Sequence, residues 1–445
     1  MGDGRTSLRQ RTLSVLMCGL ALAGAPAFAA DSGPEAADAP FVAAESGDLA
    51  PLEAGRQSLA APAAKALAEA RLHAARFDAD AAELDLRRYF TLRDADAYRQ
   101  AQAWSIAEEI AFAKGDYAAA AKASGRALDY LPKDDWRRPE TAQTRGLETV
   151  LSGAPPQTLA GGQPKPVPVK RDKAGLMEAD VSIDGLVQSA VLDSGADIST
   201  LTASAAKRLD VRLLDGSGSV SSATRDAVPT RLGVADRVEI GGVVLEHVAF
   251  LVVDDAQLSF PGGFKIDAII GSPVFRALGR VEFAPGARFA SGAAASRPVA
   301  QSAPLRTIGE KFYVTIRVNG IDVPLHLDTG STSSGLSAVF ARSHAEWLAG
   351  LKRRRDREGG AGGFTASEVA ILPAPTVALA DRALHPAELT ITLDDTPGSE
   401  KRNLGVLGGD LLGQFCSFVL DFRRGTLEPG ASKGAAGCPA TNGAF

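Results

Sequence analysis

The sequence predicts a mainly β fold in which two pseudo-symmetric lobes follow an N-terminal α-helical module. Three observations carry this. Asp193-Ser194-Gly195 and Asp328-Thr329-Gly330 stand 135 residues apart, each with a turn glycine eight residues before its aspartate, Gly185 and Gly320. Each triplet is followed by an apolar-apolar-Gly element, Ile269-Ile270-Gly271 and Val406-Leu407-Gly408, whose glycines lie 78 and 80 residues beyond the aspartates. Around both copies apolar and polar residues alternate, whereas residues 58–151 are Ala-, Arg- and Glu-rich with helical spacing.

Residues 1–29 have the form of a secretory signal. Arg5, Arg9 and Arg11 make a basic start, Leu13 to Ala25 is apolar but short for a bilayer span, and Ala27-Phe28-Ala29 precedes an expected cleavage before Ala30. Met17 before Cys18 is a poor acylation box, so no lipid anchor is expected. The mature protein is therefore expected to be periplasmic or secreted, with no stable membrane insertion. Signal removal takes the formal charge from −5 to −7, which gives no electrostatic case for nucleic acid. Cys416 and Cys438 remain as an even pair in an oxidising compartment. A bridge between them would pin the tail to the last strand, worth about 3 kcal/mol for a loop of that order.

Residues 30–151 form the helical module. Within it, residues 101–132 resemble one tetratricopeptide repeat, with Trp104, Gly115, Tyr117, Ala120, Ala127 and Pro132 at that repeat's preferred places. The preceding helices, around Ala63–Phe77 and Ala79–Leu92, match poorly. A single repeat cannot build a solenoid, so a small bundle is expected. Its three readings are a platform for a protein partner, a pro-segment over the cleft, and a stabilising cap.

Residues 152–172, with Pro155, Pro156, Pro164, Pro166 and Pro168, read as a semi-rigid linker. The first lobe follows over 173–283. Met177 to Ile183 has strand period, and Arg237 to Ile240, Gly241-Gly242 and Val243 to Leu245 form a hairpin pattern. A looser Ala-, Gly- and Ser-rich linker, 284–304, leads to the second lobe at 305–430, where Phe312 to Val318 repeats the strand period. A tail, 431–445, ends the chain. With 23% charged and 45% apolar residues, this is ordinary globular material.

The paired triplets and their downstream partners resemble the pepsin/retropepsin superfamily of aspartic proteases across about 174–283 and 305–425. The resemblance implies two retropepsin-like β-barrel lobes in one bilobed, monomeric chain, with Asp193 and Asp328 facing each other across the cleft. It implies that Ser194 and Thr329 lock the two loops to each other, and that each loop is threaded past the apolar-apolar-Gly segment of its own lobe. Gly195 and Gly330 allow the close backbone approach. Two carboxylates a few ångström apart cannot both ionise cheaply, the established behaviour of aspartic protease dyads, so they share a proton and activate a water. The expected activity is hydrolysis of polypeptide substrates by an aspartic endopeptidase, with no cofactor and no metal. The alternative is a catalytically silent peptide-binding or adaptor protein that keeps the cleft. A single-lobe enzyme that dimerises is disfavoured by the complete second triplet.

The two copies differ in detail. Asp193-Ser194-Gly195-Ala196-Asp197 is retroviral in style, which implies that Asp197 holds substrate main chain. Asp328-Thr329-Gly330-Ser331-Thr332 is pepsin-like, which implies that the Ser331 hydroxyl supports the adjacent carboxylate. Ala196 offers no such hydroxyl, so Asp193 is expected as the acid and Asp328 as the base. A first flap is expected near Val220–Leu232, turning around Thr224-Arg225-Asp226, and a second from the glycine-rich 359–364 stretch. His326, two residues before Asp328, is expected to be a packed histidine. Five histidines, at 73, 247, 326, 344 and 385, have no metal-ligand spacing. The run Lys352-Arg353-Arg354-Arg355-Asp356-Arg357 is expected to close a helix that begins near Ser337, with an acidic-substrate patch as the sharper reading.

Overall fold

The computed structural model describes residues 38–135, 137–222, 224–292, 301–395, 402–433 and 438. The secretory signal expected over residues 1–29 lies outside them.

Among the described residues, seven helices come first: α1 (Ala39–Glu45), α2 (Ala50–Gly55), α3 (Pro62–Ala75), α4 (Ala79–Thr91), α5 (Ala97–Ala113), α6 (Tyr117–Tyr130) and α7 (Arg138–Leu151). Local chemistry sets several starts. Asp78, Asp96 and Asp116 each accept from a first-turn N–H, those of Ala81, Arg99 and Ala119, and so cap α4, α5 and α6. Small residues let the helices approach closely: Ala66, Ala68, Ala70 and Ala75 of α3 are buried. Arg71 of α3 makes a bidentate pair with Glu109 of α5 at 2.8 and 2.6 Å. Gly115 sits between α5 and α6 at φ +72°, where a Cβ would lie 2.6 Å from Pro156.

The rest of the chain is mostly strand, arranged as two lobes of matching construction. In the first, Met177–Ile183 and Leu186–Leu192 form a hairpin through Asp184 (φ 47°) and Gly185 (φ 86°). In the second, Lys311–Val318 and Ile321–Leu327 do so through Asn319 (φ 47°) and Gly320 (φ 88°). Asp184 exchanges hydrogen bonds with the Arg237 backbone at 2.8 and 2.7 Å, and Asn319 does the same with Thr376 at 2.8 and 2.9 Å. Each inner strand then runs parallel to the apolar-apolar-Gly segment of its own lobe: Leu186–Leu192 beside Ala268–Ile270, and Ile321–Leu327 beside Gly405–Leu407. The Gly241-Gly242 turn closes its hairpin as expected, with Ile240 opposite Val243.

Both segments expected as linkers contribute strands. Thr158–Gly162 pairs with Val243–Val253, and Val167–Arg171 pairs with Met177–Ile183. Pro164 and Pro166 fall in the crossing between these strands, where no ladder N–H is required. An antiparallel sheet joins the lobes in the order Val167–Arg171, Arg288–Ser291, Arg280–Ala284, Phe418–Asp421, Thr426–Pro429, Ala303–Ile308. Three of these strands overlap the expected 284–304 linker, Arg280–Ala284 by its last residue only. Across the sheet, Phe283 stacks on Phe418 at 5.1 Å, and buried Arg280 reaches Asp421 at 2.7 Å and Glu428 at 2.9 Å. Cys416 and Cys438 form a disulfide with Cα atoms 5.2 Å apart.

Each lobe carries a long hairpin, Gly218–Ser222 with Arg225–Ile240 in the first and Lys352–Gly360 with Gly363–Pro373 in the second. The second corrects the expectation for the basic run. A helix does start at Ser337, whose hydroxyl caps it at Val339 and Phe340, but it ends at Ser343. Lys352 to Arg357 then form one arm of the hairpin, registered from Lys352 opposite Ile371 to Gly360 opposite Gly363.

Candidate active site

The two triplet loops meet between the lobes, and all four polar side chains are buried. Asp193 and Asp328 follow directly on the inner strands. Their N–H groups donate to Ile270 O and Leu407 O, each at 3.0 Å, which ties each loop to its own apolar-apolar-Gly segment. The hydroxyls of Ser194 and Thr329 then cross to the opposite loop. Thr329 Oγ1 accepts from Ser194 N at 2.9 Å and donates to Leu192 O at 2.7 Å. Ser194 Oγ accepts from Thr329 N at 3.0 Å and donates to Leu327 O at 2.9 Å. Four hydrogen bonds thus fix one loop on the other with two-fold regularity.

This grip sets each glycine against the other aspartate. A Cβ on Gly195 would lie 2.6 Å from the Asp328 carboxyl, and one on Gly330 would lie 2.3 Å from that of Asp193. Only a residue without a Cβ fits either place. Gly195 N donates to Asp193 Oδ1 and Gly330 N to Asp328 Oδ1, both at 2.8 Å. Burial pushes the Asp193 carboxyl up to about 7, against hydrogen bonds from the Asp328 side chain and from the Gly195, Ala196 and Gly330 backbones that favour its charged form. The carboxyls therefore touch, and their titration belongs to the pair.

Backbone N–H groups of the triplet loops serve both carboxyls. Ser331 supports Asp328 through its N–H, 3.0 Å from Oδ1, while its hydroxyl donates to Ser333 O at 2.9 Å. The Ala196 backbone serves Asp193 in the same way. Asp197 lies in the same loop and is fully buried. His326 is buried against Tyr313, ring centroids 5.9 Å apart.

Sequence reasoning passed over two serines. Ser199 and Ser334 each stand six residues after their aspartate and accept from the N–H of the downstream glycine, Gly271 at 3.0 Å and Gly408 at 2.8 Å. Their equal offset was the available signal. Two further bonds match: Ser272 N to Ala196 O at 2.8 Å, and Gly409 N to Ser331 O at 2.7 Å.

The two long hairpins meet at their tips. Ser222 and Thr224 of the first both donate through hydroxyls to Ala361 O of the second, at 2.7 and 2.8 Å, and Ala361 is fully buried. Gly362 N donates to Gln257 O of the first lobe at 2.9 Å. On its outer side the first hairpin is covered by α7: Cβ atoms on Gly216 and Gly218 would each lie 2.8 Å from Val150 and Leu147. Among the described residues, no group of His, Cys, Asp and Glu could hold a metal ion.

Residues 179–274, within the first lobe, match the aspartyl protease family. No curated protein matches the chain. Among solved structures, the chain is similar to a retropepsin-like aspartic protease from Rickettsia conorii, at 16% identity over 27% of this chain and 82% of that one, with a TM-score of 0.19. Over residues 179–274, the first lobe is thus similar to the aspartyl protease family.

Proposed function

We propose that this chain is a single-chain aspartic endopeptidase that hydrolyses peptide bonds with a water activated between Asp193 and Asp328. One observation carries the reading: the reciprocal Ser194–Thr329 grip sets the two carboxyls against each other inside a buried site, and Asp193 is raised to about 7. A pair holding one proton has an ionised member to take a proton from water and a protonated member to give one to the scissile carbonyl oxygen. Water attack and proton transfer then need no covalent intermediate. The two hairpins act as flaps over an extended substrate, whose backbone would pair with their strands. Substrate entry requires Ala361 O to part from Ser222 and Thr224, and Asp197 holds substrate main chain once the flaps lift. Because one chain supplies both loops, a monomer suffices. The Cys416–Cys438 disulfide supports a periplasmic or secreted location.

The test is the mature protein on an unbiased peptide library across acid and neutral pH, with and without a statine-type inhibitor. Internal cleavage blocked by the inhibitor is expected. Absence of cleavage at every pH, with peptides still bound, would replace this reading by the silent peptide-binding one.

A further inference from the structure

The proposed dyad does not account for the basic run on the second hairpin. Successive side chains of a strand point to opposite faces. Lys352, Arg354 and Asp356 therefore share one face, and Arg353, Arg355 and Arg357 the other. The first face neutralises itself, since Arg354 reaches Asp356 at 2.7 Å and Glu388 at 2.8 Å. The second does not. Arg353, Arg355 and Arg357 are all exposed, and Arg353 approaches Glu368 only at 3.7 Å. Arg357 lies over the Phe364 ring at 4.8 Å, a contact that leaves its charge facing solvent.

The row also has a direction. Phe364, on the partner arm, makes an edge contact with Phe260 of the first lobe at 6.3 Å. Beside it, Gly362 docks on Gln257, and exposed Arg225 of the first flap adjoins Gly362. Arg357 and Arg225 thus border the seam where the hairpin tip meets the first lobe, and Arg355 and Arg353 continue the row along the same face away from it. The whole chain has a net charge of −5, so a concentration of arginine here does not follow from composition.

We infer that Arg353, Arg355 and Arg357, with Arg225, form a specificity site for an acidic segment of the polypeptide substrate that flanks the scissile bond. This rests on the endopeptidase reading. Exposed guanidinium groups attract carboxylates over roughly 10 Å at 0.1 M salt, which favours capture of acidic chains and weakens as salt rises.

The experiment compares peptides that share one cleavable core and carry three Glu, three Gln or three Lys residues on either side. Wild type is set beside Arg353→Gln/Arg355→Gln/Arg357→Gln and the matching triple Lys variant. For wild type at low salt, kcat/KM is expected to be about tenfold higher for the Glu-flanked peptide than for the Gln-flanked one, with the Lys-flanked peptide lowest. That ratio should fall towards one at high salt and in the Gln variant, and persist in the Lys variant. Equal Glu and Gln rates in wild type, or a ratio that survives the Gln substitutions, would overturn the proposal. Should no peptide be cleaved, the endopeptidase reading fails by itself, and binding of the same labelled peptides decides the site: equal affinity for Glu and Gln flanks would overturn it.

Discussion

On the first flap, Leu147 and Val150 of α7 pack against the strand at Gly218 and Gly216, Val220 and Val228 are buried, and Gln143 of α7 reaches Asp226 O at 3.4 Å. On the second flap, five of the six residues from Lys352 to Arg357 are exposed. Below the flaps the lobes are nearly superposable in their bonding: the Ser194 and Thr329 hydroxyls exchange equivalent partners, and Ser199 and Ser334 anchor equivalent glycines. The difference separates what the chemistry fixes from what it leaves free. On the proposed reading, two carboxyls that share a proton have to be held alike, whereas each hairpin has only to close; one lies under a helix and the other stays charged.

The equality at the centre is the easier half to break. Gly195→Ala and Gly330→Ala each drive a Cβ into the opposite carboxyl, and displacing it by about 1 Å is expected to cost about 100-fold or more in kcat/KM, to a similar extent for the two variants. A steady-state comparison checks this, and one tolerant glycine would show that only one loop is tightly built. Ser194→Ala and Thr329→Ala each leave a buried N–H and a buried carbonyl without a partner, at a cost of about 3 kcal/mol by chemical denaturation, again equal for the pair.

The flap difference can be sharpened in the same way. Leu147→Ala should destabilise by about 2 to 3 kcal/mol and raise amide exchange over residues 218–232 while leaving 352–373 unchanged. Arg354→Gln on the second flap should cost less than about 1 kcal/mol, because its pairs with Asp356 and Glu388 are partly exposed. Equal responses of both flaps to Leu147→Ala would remove the distinction.

Much of the centre was legible because it is duplicated. The 135-residue offset and the turn glycines singled out Asp193 and Asp328, and the resemblance to aspartic proteases added the interlocking hydroxyls of Ser194 and Thr329. The second flap was hidden for a physical reason. Lys352 to Arg357 have solvent on nearly every side, so no apolar alternation marks them as a strand, and a run of cations after a helix start resembles a helix end. The strands Thr158–Gly162 and Val167–Arg171 were masked by the prolines beside and within them, Pro155, Pro156, Pro164, Pro166 and Pro168, which are tolerated where the ladder needs no donor. The backbone N–H donors to the two carboxyls, from Gly195, Ala196, Gly330 and Ser331, could not be read from side chains.

Burial of carboxyls adds a pH dependence with a definite sign. Asp193 in the dyad and Glu148 in α7 are both raised to about 7, Glu148 chiefly by burial. A carboxyl whose folded pKa lies above its unfolded value contributes stability that is complete below about pH 4 and is lost as pH rises through about 7. The melting temperature should therefore fall between pH 5 and pH 8, and Asp193→Asn should flatten part of that fall.

The shared-proton dyad itself is tested most directly by kcat/KM against pH for wild type, Asp193→Asn and Asp328→Asn on one peptide. Wild type should lose activity as pH rises through about 7, where the pair gives up its shared proton, and each Asn variant should be at least about 1,000-fold weaker at every pH. Cleavage that survives either substitution, or a rate that holds well above pH 7, would contradict a single active site built from Asp193 and Asp328.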